Sequence, residues 1–163
     1  MVFRTLQMTV QYDTMTKWNG AYLRSSSEPS LRVAMMIPDD RMYSEDHIWV
    51  KLDEAQVLLG VTDVLLKNLG TIVSVELPEP GDEMMPDIPF GEIESMEKIY
   101  QMYPPGDGEV LERNEMLGWK PERLAEDPYG EGWLLKIKIE DTEQLKQLMN
   151  AESYEEKSED LSL

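Results

Sequence analysis

The chain lacks cysteine altogether and has a single histidine, His47, among its 163 residues. Without cysteine the polypeptide itself can form no disulfide bond and offers no thiol chemistry, and one histidine leaves little for a soft-metal site. No apolar run approaches the length of a membrane span. A glycine-rich phosphate loop, a nucleophile elbow and a metal-binding helix motif are also missing. We therefore expect a protein that is not an enzyme and that has neither a metal site nor a membrane segment.

Basic residues are scarce: 15 Lys and Arg stand against 33 Asp and Glu, for a net charge of −18. Nucleic-acid binding is disfavoured, because phosphates need Lys and Arg to replace their counterions. The acidic balance favours encounter with basic surfaces on partner proteins, although simple solvation explains it equally well. A hydrophobic content of 41% and a charged content of 29% are typical of a soluble globular protein of one domain.

The first 36 residues differ from the rest in charge. They hold four basic and two acidic residues, a net charge of +2. Since the whole chain has a net charge of −18, residues 37–163 carry a net charge of −20. Three interpretations stay open: a mitochondrial targeting segment, a true start at Met35 or Met36, and an accessory arm. Apolar residues alternate with polar ones over residues 2–12 at the period of a strand, whereas a targeting segment should form a basic amphipathic helix.

From residue 42 onward, turn residues separate short β-rich runs, and this pattern predicts a mainly β domain with short helices. Asp53, Glu54 and Ala55 form the turn of a predicted hairpin. Thr62 is predicted to cap a short helix that Gly70 ends. Met96, Glu97 and Lys98 form a second tight turn. The predicted strands cover residues 47–52, 56–61, 71–77, 90–95, 99–103 and 133–139.

Three predictions concern the C-terminal part. Pro121 suits the first position of a short helical turn over residues 122–125. Asp141 is expected to cap a C-terminal helix with Leu145, Leu148 and Met149 on one face, and Gln144 would complete a capping box. The acidic tail from Glu152 is expected to fray.

Several sequence blocks resemble the glycine cleavage system H-protein family, whose pattern around its modified lysine reads F-G-x-x-E-S-x-K-A. The similarity covers about residues 37–155. The blocks are Tyr43-Ser44-Glu45-Asp46-His47-Ile48-Trp49-Val50, Gly60-Val61-Thr62-Asp63, Leu69-Gly70-Thr71-Ile72-Val73-Ser74-Val75-Glu76-Leu77-Pro78, Gly81-Asp82, Phe90-Gly91-Glu92-Ile93-Glu94-Ser95-Met96-Glu97-Lys98, Asn114-Glu115 and Glu126-Asp127-Pro128-Tyr129-Gly130-Glu131-Gly132-Trp133-Leu134.

The resemblance implies a covalent lipoate cofactor, but the lysine of this chain is displaced by one residue from the family's lipoyl-lysine. Read without gaps, Glu97 occupies the position of the family's lipoyl-lysine, and Lys98 follows one residue later. A carboxylate cannot form the amide that joins lipoate to lysine, so Lys98 is the candidate for lipoylation. One step along a strand turns a side chain to the opposite face, so the shift changes where an arm would project.

The function that the resemblance implies is an intermediate carrier. With Lys98 lipoylated, it would shuttle an aminomethyl group among glycine decarboxylase, aminomethyltransferase and dihydrolipoamide dehydrogenase, after modification by a lipoate ligase or octanoyltransferase. One alternative is a non-lipoylated H-like binding, scaffold or regulatory protein. A further alternative is a lipoate-binding carrier of a sulfur-oxidising disulfide reductase-like system.

The resemblance also implies a barrel-sandwich hybrid, the flattened barrel of lipoyl and biotinyl domains, with short helices and a C-terminal helix. We expect residues 1–36 to be an extension outside the core, 37–157 to form the domain and 158–163 to be a flexible acidic tail. We further expect a monomer in the cytoplasm, or in the mitochondrial matrix if the first 36 residues are a targeting segment.

Three other residues have structural or functional interpretations. His47 lies near Trp49, and a lone histidine there favours a hydrogen-bonded structural role over a role beside the arm. Trp49 and Trp133 are predicted core residues, because their size and strand positions favour burial.

Overall fold

The computed structural model describes residues 16–18, 21–24 and 35–160 of the chain, with side chains from 37 to 159. That part contains twelve strands, three α-helices and two 3-10 helices. The strands are β1 Thr16–Trp18, β2 Ala21–Arg24, β3 Met35–Pro38, β4 Met42–Tyr43, β5 Ile48–Asp53, β6 Gln56–Val61, β7 Ile72–Glu76, β8 Glu83–Met84, β9 Gly91–Ser95, β10 Ile99–Met102, β11 Gly108–Arg113 and β12 Leu135–Ile139. The α-helices are α1 Asp63–Leu69, α2 Glu122–Glu126 and α3 Ala151–Asp160, and the 3-10 helices are Glu115–Gly118 and Thr142–Gln147.

The strands form three antiparallel sheets. The largest has the order β4-β5-β6-β12-β11-β8, the second has the order β10-β9-β7, and the third has the order β1-β2-β3. The prediction of a mainly β domain with short helices is confirmed. The alternating stretch over residues 2–12 lies outside the described residues.

The main core lies between the six-stranded sheet and the β10-β9-β7 sheet. Its buried members come from both sheets and from α1, among them Leu59, Ile93, Met102 and Ile137. A smaller cluster joins β3, β4, β5, α1 and α3 through Ile37, Tyr43, Trp49, Val64, Ala151 and Tyr154. Trp49 is fully buried, as predicted, whereas Trp133 is half-buried and packs against the smaller cluster.

The helix α1 begins and ends as its sequence predicts. The Thr62 hydroxyl accepts a hydrogen bond from the Leu65 amide at 3.4 Å, so it caps the first turn. Gly70 follows the last turn with φ +81°, a conformation that glycine adopts without steric cost. This helix packs its Val64, Leu65, Leu66 and Leu69 side chains inward.

The C-terminal helix is present, but it begins at Ala151, nine residues later than a cap at Asp141 predicts. Asp141 caps only the 3-10 helix Thr142–Gln147, by accepting a hydrogen bond from the Glu143 amide. The Asn150 side chain accepts from the Ser153 amide at 2.8 Å, and α3 starts there. The expected fraying from Glu152 is therefore wrong, since Tyr154 and Ser158 of this helix are buried.

Two smaller expectations also need correction. Gln144 does not close a capping box, because its Oε1 accepts from the Asp107 amide and its Nε2 donates to the Asp141 carbonyl. Pro121 precedes α2 as its cap residue instead of occupying the first helical position. The division of the chain at residues 36 and 158 stays a prediction.

Within the described ranges, no helix is both long enough and apolar enough to cross a membrane.

Candidate functional site

The base of the β9–β10 hairpin needs a glycine. Gly91 pairs with Met102 of β10, and the Phe90 amide donates to the Met102 carbonyl at 2.8 Å. On the other side of β9, a Cβ at Gly91 would collide with the carbonyl oxygen of Glu76 in β7. The glycine therefore lets β9 approach β7 closely at the point where the hairpin leaves the body of the domain.

At the far end, the hairpin closes through a two-residue turn of Met96 and Glu97. The Ser95 amide donates to the Lys98 carbonyl at 2.8 Å. The Ser95 hydroxyl accepts from the Glu97 and Lys98 amides and donates to the Lys98 carbonyl. The Met96 amide donates to the Thr71 carbonyl at 3.0 Å, so the turn is also tied to the start of β7. These bonds satisfy the turn's amides and hold it in one conformation.

The two faces of the hairpin have different surroundings. Directly opposite residues of an antiparallel pair share a face. Ile93 is buried opposite Tyr100, while Glu94 is exposed opposite Ile99, which is 59% exposed. Continuing this register by one step places Lys98 opposite Ser95, a buried residue. By this register, Lys98 shares its face of the hairpin with Ser95 and Tyr100.

Lys98 and Glu97 are both exposed at the tip, and they differ in position. Glu97 is the second residue of the turn, whereas Lys98 is the first residue after it. Within residues 37–159, the structure gives neither side chain an ion pair or a hydrogen bond. The Lys98 ammonium is thus accessible, and no carboxylate among the described side chains holds it in place.

The body-facing side of the hairpin contacts the turn that contains His47. The Tyr100 hydroxyl donates to the Asp46 carbonyl at 2.8 Å. The next residue, His47, has φ +62° and places its Nδ1 2.6 Å from the Tyr154 hydroxyl of α3. That hydroxyl is also 2.7 Å from the Thr62 hydroxyl. A continuous set of contacts therefore links the C-terminal helix to the hairpin, two residues from Lys98.

Burial decides the ionisation of these groups. It lowers the pKa of His47 despite the opposing charge of Asp46, so the imidazole is neutral at neutral pH. Burial raises the pKa of Tyr100 to about 12 and that of Tyr154 further, so both hydroxyls stay protonated. The predicted hydrogen-bonded role of His47 is confirmed. Sequence reasoning missed Tyr100 and Tyr154, because their partners lie 54 and 107 residues away along the chain.

Metal ligation finds no support among the described side chains, which contain no group of three or more His, Cys, Asp or Glu residues placed to hold an ion.

The comparison with protein families gives a match to the glycine cleavage H-protein model over residues 41–161. Two curated relatives are glycine cleavage system H proteins. That of Halalkalibacterium halodurans is 42% identical over 120 residues, which are 74% of this chain and 94% of the relative. That of Halothermothrix orenii is 45% identical over 120 residues, with the same coverage of both chains.

A solved structure has the same fold. The crystal structure of a glycine cleavage system H protein from Mycobacterium marinum matches with a TM-score of 0.67 and 32% identity, over 72% of this chain and 95% of that chain. The expected barrel-sandwich fold with a C-terminal helix is confirmed by this likeness. Taken with the sheet arrangement and the hairpin, these matches show that the chain belongs to the glycine cleavage H-protein family, as an H-protein-like carrier and a non-catalytic component.

Proposed function

We propose that this chain carries lipoate as an amide on Lys98 and shuttles an aminomethyl group among glycine decarboxylase, aminomethyltransferase and dihydrolipoamide dehydrogenase. The observation that supports this most strongly is the position of Lys98. It is the one lysine of the hairpin, it is exposed, and it directly follows a turn fixed by Ser95 and Thr71.

The residues at the tip fit the attachment of such a group. Amide formation needs a primary amine that can lose its proton when an attaching enzyme desolvates it. Lys98 meets this need, because no ion pair within the described residues has to be broken first. Glu97 has no nucleophilic amine, so it cannot be the attachment point.

Bound lipoate would supply the redox and group-transfer chemistry through its dithiolane ring. The chain's own residues position the attachment lysine. Ser95 and Thr71 fix the turn, and Gly91 allows β9 to pack against β7. The Tyr100 hydroxyl holds the hairpin against Asp46. Because Lys98 lies on the same face as Tyr100, a group on its amine would leave the tip on the side of the Asp46–His47 turn.

The experiment is coexpression with a lipoate ligase in medium that contains lipoate, followed by intact mass measurement. The expected result is one lipoyl group on the wild-type chain and none on Lys98→Arg. Lys120→Arg, which changes an exposed lysine outside the hairpin in the same way, should keep the modification.

The H protein of Halothermothrix orenii, expressed in the same cells, serves as the positive control. If that protein is modified while this chain stays unmodified, the proposal is wrong. The double change Glu97→Lys with Lys98→Ala should then accept lipoate at the apex, because the rest of the turn is unchanged.

A further inference from the structure

A second surface lies beside the edge strand β8, away from the hairpin tip. Two depressions of about 450 Å³ and about 200 Å³ adjoin there. They share Glu83, Met84 and Met85 as lining residues, so they meet at this segment, and together they are called the groove. We infer that this groove binds an extended, basic segment of the partner enzyme into which the hairpin tip reaches.

The groove exposes two large apolar side chains close together. Met85 is 50% exposed and Ile88 is 57% exposed, and the Ile88 amide donates to the Met85 carbonyl to form a tight turn between them. Single exposed apolar residues are ordinary, but a pair that lines a concave surface is typical of a binding site. An apolar side chain of a partner could be buried between these two.

The charges around the groove are nearly all of one sign. The two depressions have five lining carboxylates and one lining lysine, Lys138. The carboxylates belong to Asp82, Glu83, Asp107, Glu109 and Glu140.

Within the sheet, Glu83 lies directly opposite Glu109 on β11, and Glu109 lies opposite Lys138 on β12. Like charges that face each other across strands destabilise a sheet, and Lys138 relieves only part of this repulsion. A cation from a partner would relieve the rest, which identifies the complementary surface as basic.

The backbone of β8 offers a further means of recognition. β8 is the last strand of the six-stranded sheet, and among the described strands it pairs only with β11. An edge strand has free amides and carbonyls with which an extended chain can pair. The occupant is therefore an extended segment that carries Lys or Arg next to an apolar side chain.

The distance between the groove and the tip fits a docking role. Phe90 lines the groove and lies at the base of the hairpin, six residues before Met96. At about 3.3 Å per residue the tip lies roughly 20 Å away. A partner bound at the groove would leave Lys98 free to enter its active site. The inference depends on the proposed function only for the choice of partner.

The first test measures binding to purified glycine decarboxylase, aminomethyltransferase and dihydrolipoamide dehydrogenase from the same genome, each with the unmodified chain. The double variant Met85→Gln with Ile88→Thr removes the apolar contacts without adding charge. It should weaken binding to at least one enzyme about tenfold or more. Leu52→Gln is the matched control, because Leu52 is 51% exposed and lies on β5, and it should leave binding unchanged.

The second test separates local charge from total charge. The double variant Glu83→Gln with Glu109→Gln reduces the net negative charge by two at the groove. The double variant Glu122→Gln with Glu152→Gln makes the same reduction on α2 and α3, away from the groove. The groove pair should lower affinity and flatten its salt dependence more than the distant pair. Equal effects of the two pairs would contradict a local basic contact.

Hydrogen exchange of the same complexes locates the contact. Protection of residues 81–90 is expected on binding. Protection confined to the tip, or unchanged binding by the Met85 and Ile88 variant with all three enzymes, would overturn the inference. Because these tests use the unmodified chain, they can succeed even if Lys98 is never lipoylated, so the two proposals can fail separately.

Discussion

The β5–β6 hairpin and the β9–β10 hairpin both close through two-residue turns, and they do so by different means. The β5–β6 turn has Glu54 at φ +57°, and the structure shows no side-chain hydrogen bond to the backbone at residues 53–56. The β9–β10 turn keeps Met96 and Glu97 out of the left-handed region. It relies instead on the Ser95 hydroxyl and the Thr71 carbonyl.

The difference shows how the conformation of a hairpin turn can be fixed by side-chain hydrogen bonds. A residue with positive φ matches the twist of the strands but costs about 1 kcal/mol or more for a residue other than glycine. A side chain that binds three backbone groups at once holds the turn without that cost. The β9–β10 tip is also tied to β7 and, through Tyr100, to the Asp46 carbonyl, whereas the β5–β6 turn is fully exposed.

The largest loss of stability is expected from a substitution at the base of the β9–β10 hairpin. Gly91→Ala should destabilise the protein by about 3 kcal/mol, because the new methyl group would collide with the Glu76 carbonyl and force β9 away from β7. Urea unfolding followed by tryptophan fluorescence measures the change. Gly118→Ala is the control, since a Cβ there meets no atom within 4 Å. Equal stability of the two variants would show that β9 does not need this close approach.

Ser95→Ala should cost about 1 kcal/mol, because three hydrogen bonds of the turn are lost while water can replace some of them. The Lys98 amide should then exchange its hydrogen faster than in the wild type. Ser74→Ala, on the neighbouring strand β7, should leave that exchange rate unchanged. An unaffected Lys98 amide in Ser95→Ala would mean that the turn holds itself together without the hydroxyl.

Tyr100→Phe should cost roughly 0.5 kcal/mol, because it removes one partly exposed hydrogen bond to Asp46. Hydrogen exchange should increase over residues 96–99, where the hairpin would be less firmly held. Tyr103→Phe provides the comparison, since the Tyr103 hydroxyl makes no hydrogen bond to any residue that the structure describes. If the tip exchanges equally in both variants, the hairpin is fixed by its strand pairing alone.

The smallest effect tests the contrast between the turns directly. Glu54→Gly should stabilise the protein by about 0.5 kcal/mol, because glycine adopts positive φ without strain and this gain exceeds its loss of chain entropy. Glu97→Gly should destabilise it by a similar amount, because no strain is relieved there. Thermal unfolding of the two variants measures the sign of each change in stability. Stabilisation by both changes would show that the turns are alike.

Much of this arrangement follows from local sequence. Thr62 and Gly70 mark the ends of α1, and the tip hairpin is apparent from two β-rich runs around Met96 and Glu97. The sequence does not locate the start of the C-terminal helix, because Asp141 and Asn150 are both good caps, and the helix that follows Asn150 is the one that buries Tyr154. Local sequence patterns contain no information on contacts between residues that are far apart in the chain.

The candidate site was predictable in its residues and not in its geometry. The hairpin and Lys98 follow from the sequence blocks, but the face on which Lys98 lies depends on the turn having two residues and not three. That count is set by Ser95 pairing with Lys98 and by the Met96 bond to Thr71. The contacts among Tyr100, His47 and Tyr154 join distant parts of the chain, and no local signal indicates them.

The most direct test of lipoate attachment is mass spectrometry of the coexpressed protein after cleavage on the carboxyl side of glutamate. Cleavage after Glu97 and Glu109 releases residues 98–109, in which Lys98 is the only lysine. Our account predicts that fragmentation of this peptide places one lipoyl group on Lys98. An unmodified 98–109 peptide, or a lipoyl group on any other lysine, would contradict it.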